Sequence, residues 1–355
     1  MFLALRDIAS ARGRFTLVAT VVGLITLLVV MLSGLTGGLG KQNTSALEAL
    51  GPDRFALAEA DGEHTFTAST VTADDVAAWS AATGVDEAIP LGAAQTVMDA
   101  TQATTSVAVL GVPAGMTLPD GQTVPADGAV VSEELAEEYA AAPGATVTLA
   151  GQDVDVTATA ADEYYSHSPV LWVATDTWRE IAHAADDVVG SAIMLTGSLA
   201  GEEWEQASAA NGTDALTMTG AFNALPAYQS ENSSLLLMQV FLYAISALVT
   251  VSFLTVWTIQ RTRDLSVLRA LGASPRYLLR DSLGQAAAIL IVGAGAGAVL
   301  GAGLGQIAGA AVPFQLDLST TLAPALGIVV LGLIGALVAT RRVTRIDPLA
   351  ALNAA

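Results

Sequence analysis

The stretch Phe15-Thr-Leu-Val-Ala-Thr-Val-Val-Gly-Leu-Ile-Thr-Leu-Leu-Val-Val-Met31-Leu-Ser-Gly-Leu-Thr-Gly-Gly-Leu-Gly40 carries no charge over 26 residues. About 20 residues of helix cross the hydrocarbon core of a bilayer, so this run is long enough to span one. Arg6, Arg12 and Arg14 stand just before it. Three further runs follow. Residues 235–260 are uncharged over 26 positions, 282–316 over 35, and 321–340 over 20. Buried helices of a water-soluble protein do not keep runs this long with basic flanks on alternate ends only. The first run is too long for a cleaved signal peptide, and no Ala-x-Ala site closes it before the polar segment.

The basic residues orient the runs. Eleven of the fourteen Lys and Arg fall in three patches. These are Arg6, Arg12 and Arg14; then Arg261, Arg263, Arg269, Arg276 and Arg280; then Arg341, Arg342 and Arg345. Between the first two runs there are only Lys41, Arg54 and Arg179. Basic loops stay in the cytoplasm. The expectation is an α-helical membrane protein with four transmembrane helices and a mixed α/β extracellular domain inserted between helices one and two. The expected parts are a cytoplasmic segment 1–14, helix one at 15–40 and an extracellular domain at 41–232. Helix two follows at 233–260, a cytoplasmic loop at 261–281, helix three at 282–311, helix four at 321–340 and a cytoplasmic tail at 341–355.

Charge divides along the same lines. The inside pieces carry a net +7, segment 41–232 a net −26, and Asp317 one more negative charge. An acidic outer face argues against nucleic acid, which needs a basic surface. It fits solubility in an exposed setting better than a specific cation site. The chain has no cysteine, which removes disulfides, thiolate metal sites and thiol catalysis.

The outer segment reads as alternating helix and strand. Thr72 is placed to cap a helix running through Ala82, with acids in its first turn. Residues 104–112 read as a strand, and 132–142 as an amphipathic helix stopped by Pro143-Gly144. Residues 146–149 and 154–159 flank Ala150-Gly151-Gln152-Asp153, a hairpin signal. Residues 169–174 read as a buried strand, followed by a helix from Asp176. His64, His167 and His183 form no metal-spaced pair, and no Gly-x-Ser-x-Gly elbow occurs. Two short segments stand out. Tyr164-Tyr165-Ser166-His167-Ser168 packs ligand-capable and stacking side chains into five residues, although ordinary aromatic packing at a strand edge gives the same pattern. Tyr228-Gln-Ser-Glu231 lies just before the second run, where a Tyr is also expected for interfacial anchoring alone.

In the loop 261–281, Leu265, Leu268 and Leu271 recur at spacing three, and Val267 and Ala270 widen the stripe. Gly272 ends this short helix and Ser274-Pro275 begins the next. The helix either rests on lipid headgroups or docks into a cytoplasmic partner. The segment Arg263 to Gly272, and the tail Asp347-Pro-Leu-Ala-Ala-Leu352, resemble the FtsX-like permease family of ATP-binding cassette transporters. The whole layout is similar to that family. The resemblance implies that Arg263, Leu265, Leu268, Arg269, Leu271 and Gly272 couple to a cytoplasmic ATPase subunit that binds ATP and Mg. It also implies a second copy of this chain. The chain's one lysine, Lys41, follows Gly40, but Gln42 follows it and Leu35 replaces the first Gly of a phosphate-binding loop. The permease is therefore expected to hydrolyse no ATP itself and to hold no intrinsic cofactor.

A narrower resemblance is to heme-exporting permeases of Gram-positive bacteria. It is carried by Phe2-Leu-Ala-Leu-Arg6-Asp-Ile, by Ser33-Gly-Leu through Lys41-x-Asn43-x-Ser45-x-x-Glu48, by Tyr165-Ser-His-Ser168, by Ala227-Tyr-Gln-x-Glu231 and by Trp257-Thr-Ile-Gln260. It implies heme as substrate, captured from membrane lipid. Good helix formers carry helix one past Gly40 toward Gly51-Pro52. Glu48 then lies roughly 12 Å beyond Gly40, at about 1.5 Å per residue. A carboxylate suits ferric iron, which makes Glu48 the leading axial ligand of heme iron, although a solvated acid is the plainer reading. Tyr228, Tyr165 and His167 follow, then Met31 and Met238, which equally read as packing residues. Gly293, Gly297, Gly301, Gly305 and Gly309 form a ladder that reads as packing within one subunit. Gly34 and Gly38, by resemblance, belong at a dimer seam. The expected function is heme export for detoxification. The alternatives are export of a lipid, peptide or lipoprotein, or mechanotransmission signalling without transport.

Overall fold

The computed structural model describes residues 12–60, 62–100, 103–260 and 274–343. The chain divides into two compact units. One is Leu39–Asn232; the other combines Met1–Gly38 with Ser233–Ala355.

Four helices build the second unit. They are α1 (Arg12–Leu50), whose first part belongs here, α7 (Pro226–Gln260), α8 (Pro275–Ala308) and α9 (Leu318–Val343). All four are long and apolar enough to cross a membrane. As the sequence leads one to expect, α1 runs on past Gly40 and stops at Leu50, where Gly51 turns left-handed (φ 59°) before Pro52. Helix α8 starts at Pro275, capped by Ser274, whose hydroxyl accepts from the Tyr277 N–H at 3.2 Å. Helix α9 starts just after Asp317. Its carboxylate accepts from the Thr320 N–H at 2.9 Å and the Ser319 hydroxyl at 2.6 Å, which holds the Asp317 carboxyl below its ordinary range.

Glycine sets how these helices meet. A Cβ on Gly297 would overlap the Gly23 carbonyl oxygen, and one on Gly293 would press on the Ala19 carbonyl. Gly301 lies against Val30. The ladder on α8 thus packs within the chain, as expected: Gly293, Gly297 and Gly301 against α1, and Gly305 against the Phe314 ring. Gly34 and Gly38 are different. A Cβ on Gly34 would overlap the Phe314 ring, and one on Gly38 the Pro313 carbonyl. The segment joining α8 to α9 fills the space that a dimer seam would need, and Gln315 N–H donates to the Gly34 carbonyl at 2.9 Å. The seam expected at Gly34 and Gly38 is therefore corrected to an intrachain contact.

The other unit is a mixed α/β domain. Its strands are β1 (Arg54–Leu57), β2 (Val71–Thr72), β3 (Val85–Asp99), β4 (Thr104–Val112), β5 (Ala129–Ser132), β6 (Thr146–Leu149), β7 (Gln152–Ala160), β8 (Tyr164–Tyr165), β9 (Ser168–Ala174), β10 (Val188–Gly190), β11 (Ala192–Gly197) and β12 (Asp214–Leu216). Short helices interrupt them: α2 (Ala73–Ser80), α3 (Glu133–Glu138), α4 (Thr175–Ile181), α5 (Gly201–Asn211) and α6 (Met218–Asn223). The main sheet runs β12-β1-β11-β3-β4-β9-β5-β7-β6, and β6 pairs back onto β3 through Met98↔Leu149. Strands β3, β4, β9, β5, β7 and β6 therefore close on themselves. The first half of the long β3 reaches out to β11. Val107, Val109, Leu149, Leu171 and Trp178 form one core with α3 and α4. Phe55, Phe66, Leu110, Tyr165 and Trp172 form another, which also takes in Ala46 and Leu47 from the end of α1.

Local sequence rules hold in most places. Thr72 caps α2 in a full capping box with Asp75. Ala150 and Gly151, both left-handed, turn the β6–β7 hairpin. The helix expected over 132–142 is shorter than that. Ser132 caps it, but Glu138 is its last residue, Tyr139 closes it and Ala140 is left-handed (φ 55°).

Candidate functional site

Three elements of the α/β unit converge on one polar cluster: the last turns of α1, the β8–β9 turn and the first two turns of α7. The β8–β9 link is a two-residue turn with Ser166 and His167 both left-handed (φ 47° and 65°). Such turns favour Asn-Gly, because a Cβ at positive φ is strained. The strain here is held by α1. Ser166 N–H donates to the Asn43 carbonyl at 3.1 Å, and His167 N–H to the Gln42 carbonyl at 2.8 Å. Gln95 on β3 adds bonds to the Ser166 carbonyl and the Ser168 hydroxyl, each 3.1 Å. Strained backbone that its surroundings over-determine is typical of functional sites.

The turn aims the His167 ring. Its Nε2 lies 2.9 and 3.0 Å from the two carboxylate oxygens of Glu231, and Nδ1 lies 3.5 Å from Gln42 Oε1. Asn43, buried within α1, puts Nδ2 3.1 Å from Glu231 and 3.0 Å from His167 Nε2, and donates to the Leu39 carbonyl at 3.0 Å. Among the described residues Asn43 Oδ1 has no partner. The cluster thus ties α1, the hairpin turn and α7 together through side chains distant in sequence.

The next residue of α1, Thr44, donates to the Gly40 carbonyl at 3.0 Å and to Glu48 Oε1, one turn on, at 2.8 Å. Glu48 is exposed, with one oxygen positioned by that bond. It lies within electrostatic reach of Tyr228 and of Glu163. Tyr228 is half-buried, edge-on to Phe222, with its ring passing over Gly40. Burial holds the Glu163 carboxyl above its ordinary range. The Ser45 hydroxyl opposes this, the Glu48 charge adds to it, Lys41 opposes it and Asp120 adds to it. The neighbouring Tyr164 hydroxyl donates to Glu134, and burial together with that carboxylate drives its pKa up.

The structure therefore places Glu48 within electrostatic reach of Tyr228 and pairs His167 with Glu231. Tyr165 departs from expectation. It is 3 % exposed and stands edge-on to Phe66 inside the core, because alternation along the two-residue strand β8 turns it inward while Tyr164 faces out. A ring so placed holds the hairpin rather than meeting a ligand. Met31 and Met238 belong to the helical unit; Met31 is half-buried and Met238 lies in an exposed apolar row with Leu236, Leu237 and Phe241. Arg263, Leu265, Leu268, Arg269, Leu271 and Gly272, and the tail Asp347 to Leu352, lie outside the described residues. Asn43, Glu231, Thr44 and Glu163 are the functional candidates that residue-type reasoning did not single out. For Asn43 and Thr44 the available signal is an adjacent amide and hydroxyl in the polar continuation of an apolar helix; Glu231 and Glu163 carry none beyond their charge.

Four apolar helices with an α/β domain between the first and second define a multi-pass membrane protein of the permease type. Comparison with known proteins agrees. The MacB-like periplasmic core domain matches residues 15–210, and the FtsX-like permease C-terminal domain matches residues 236–348. The chain belongs to this FtsX/MacB family of ABC transporter permeases, which implies an ATPase partner. HrtB of Staphylococcus haemolyticus (strain JCSC1435), described as a candidate hemin transport system permease, is 24% identical over 99% of this chain and 99% of its own. An uncharacterized ABC transporter permease of Mycobacterium tuberculosis (strain CDC 1551 / Oshkosh) is 25% identical over 98% of each chain. The extracellular domain of a noncanonic ABC-type transporter, YknZ, from Gram-positive bacteria is 15% identical, with a TM-score of 0.35 over 46% of this chain and 98% of that one.

Proposed function

We propose that this permease is the membrane half of an ATP-driven exporter that takes heme, or a similar flat hydrophobic porphyrin, from membrane lipid and expels it outward. One observation carries the reading. Two segments that resemble heme-exporting permeases, Tyr165-Ser-His-Ser168 and Ala227-Tyr-Gln-x-Glu231, meet through the His167–Glu231 pair, against a third such segment at Asn43. The full-length similarity to a candidate hemin permease supports the same substrate.

In this reading both termini and the 261–281 loop are cytoplasmic and the α/β domain is extracellular. Two copies pair with two ATPase subunits, which bind ATP and Mg and perform all hydrolysis. Glu48 offers a hard oxygen donor to ferric iron. Thr44 orients it by holding one oxygen, leaving the other free. Tyr228, amphipathic and ring-on to the helix, is the stacking or hydrogen-bonding neighbour. His167 is committed to Glu231 and Asn43, so its role is to position the turn rather than to ligate iron.

The test is hemin titration of the purified permease, followed by absorption. Wild type is expected to show a saturable Soret band. Glu48→Ala should shift or weaken that band and leave assembly with the ATPase intact. Tyr228→Phe should have a smaller effect, and His167→Ala should change affinity without changing the ligand signature. If Glu48→Ala keeps the wild-type spectrum and affinity while one of the others loses both, the ligand is misassigned. A wild type with no saturable spectral change would remove heme as substrate and leave a permease for a lipid or peptide.

A further inference from the structure

In the helical unit, α8 and α9 leave a groove of about 510 Å³ between them. It is lined by Leu283, Gly284 and Ala287 from α8 and by Leu333, Ile334 and Leu337 from α9, with Arg280 at one end. That volume falls within the ~300–1,000 Å³ of small-molecule sites. Gly284 opens the floor, since a Cβ there would meet nothing within 4 Å. Beside the groove the two helices pack closely, with Ala286 and Ala336 buried in one cluster and Leu290 against Gly332.

Arg280 makes this more than a lipid-facing surface. Arg276 lies one turn earlier on the same helix face, and both are exposed. Among the described residues neither is ion-paired. Asp281, next in sequence, makes no ion pair with either; its carboxylate is turned to the buried Gln285, whose amide donates to it at 3.1 Å. A guanidinium beside hydrocarbon is costly without an anion. Guanidinium binds phosphate oxygens through paired N–H donors. Basic pockets between transmembrane helices suit anionic headgroups.

We propose that this groove holds one anionic phospholipid, with its phosphate on Arg280 and one acyl chain along Gly284, Ala287 and Leu337. The chain runs from Arg280 to Ala287, about 10 Å of helix at ~1.5 Å per residue, along an apolar floor. The headgroup sits at the basic end of α8. The site depends on the membrane-spanning fold and not on the exported substrate.

The experiment is native mass spectrometry of the full permease–ATPase complex released from nanodiscs of phosphatidylcholine with or without phosphatidylglycerol. Wild type is expected to retain phosphatidylglycerol at about one per permease chain, above any phosphatidylcholine. Arg280→Gln should lower that retention roughly tenfold and leave phosphatidylcholine unchanged, whereas Arg280→Lys should keep most of it. Gly284→Leu should fill the groove and abolish retention. Gly295→Leu, at another open glycine of α8 outside the groove, should not. Equal retention by wild type and Arg280→Gln would overturn the proposal. So would retention by Gly284→Leu, or phosphatidylglycerol bound by the permease alone and lost on adding the ATPase, which would make the groove a subunit-docking face.

Discussion

In the α/β unit, Trp79, Phe55, Phe66, Leu47 and Leu91 are among the largest side chains shut off completely from solvent, and Trp172, Trp178 and Trp204 are buried nearly as fully. Between the helices of the other unit, backbone meets backbone at Gly23, Gly293 and Gly297, three positions with no side chain. The difference follows from the solvent. In water, apolar area removed from contact drives folding, so large rings are the most effective core material. In lipid that drive is missing, because the surroundings are as apolar as the side chains. Helices then associate through close backbone contact, which small residues permit. Leu237, Phe241, Val292 and Val299 can stay on the surface there without cost.

The comparison can be broken by changing volume in opposite directions. Phe66→Ala removes a ring wedged between Phe55 and Tyr165 and should cost about 3–5 kcal/mol through lost burial and the cavity left behind. Gly297→Ala only adds a methyl group, yet it overlaps the Gly23 carbonyl and should cost about 1–3 kcal/mol. Gly295→Ala, on the same helix with open space around it, should be neutral or slightly stabilising. Thermal unfolding in detergent would measure all three. If Gly297→Ala and Gly295→Ala behave alike, the helices are not held by backbone contact at that point.

Legibility in the sequence follows the same division. The membrane helices were readable because charge is excluded from them, a signal that survives any detail of packing. Several outer elements were readable from caps and turns, such as Thr72 with Asp75 and the left-handed pair Ala150-Gly151. The long strand β3 was not. Pro90 and Gly92 interrupt it, and Asp86 and Glu87 blur its alternation; only its pairing with β11 and β4 makes it a strand. The site was half legible. Glu48, Tyr228 and His167 stood out by type, but Asn43 and Glu231 acquire a role only when positions 43, 167 and 231 meet. Tyr165 misled because a two-residue strand turns its neighbours to opposite faces, and sequence does not say which.

The cluster at His167 sharpens the comparison from the other side, since it joins elements by polar contact rather than by ring or glycine. His167→Ala should lose the bonds to Glu231 and Asn43, costing about 1 kcal/mol because the pair is partly exposed. The strained turn makes the sign testable. His167→Gly removes the same bonds but relieves a Cβ at φ 65°, so it should be more stable than His167→Ala. Equal stability for the two variants would show that the turn stores no strain.

The smallest expected effect is at Glu163, and it concerns pH alone. Burial raises its carboxyl pKa above the ordinary 4.5 in the folded protein. Between that value and the raised one, the folded state binds more proton than the unfolded state. Stability from this group is therefore fully present below 4.5 and is lost as pH rises through the folded value. Glu163→Gln keeps the shape and cannot ionise. Its melting temperature should rise relative to wild type as pH increases through that window, and the two should converge in acid. Glu48→Gln should reproduce part of the shift, because the neighbouring Glu48 charge helps to raise the Glu163 pKa. Lys41→Gln should do the opposite, since Lys41 lowers the Glu163 pKa and its loss leaves the buried carboxylate with less compensation. A wild-type and Glu163→Gln pair whose melting temperatures run parallel from acid to neutral pH would show that Glu163 is solvated in the folded protein, and that the outer end of α1 is more open to water than its packing against the hairpin implies.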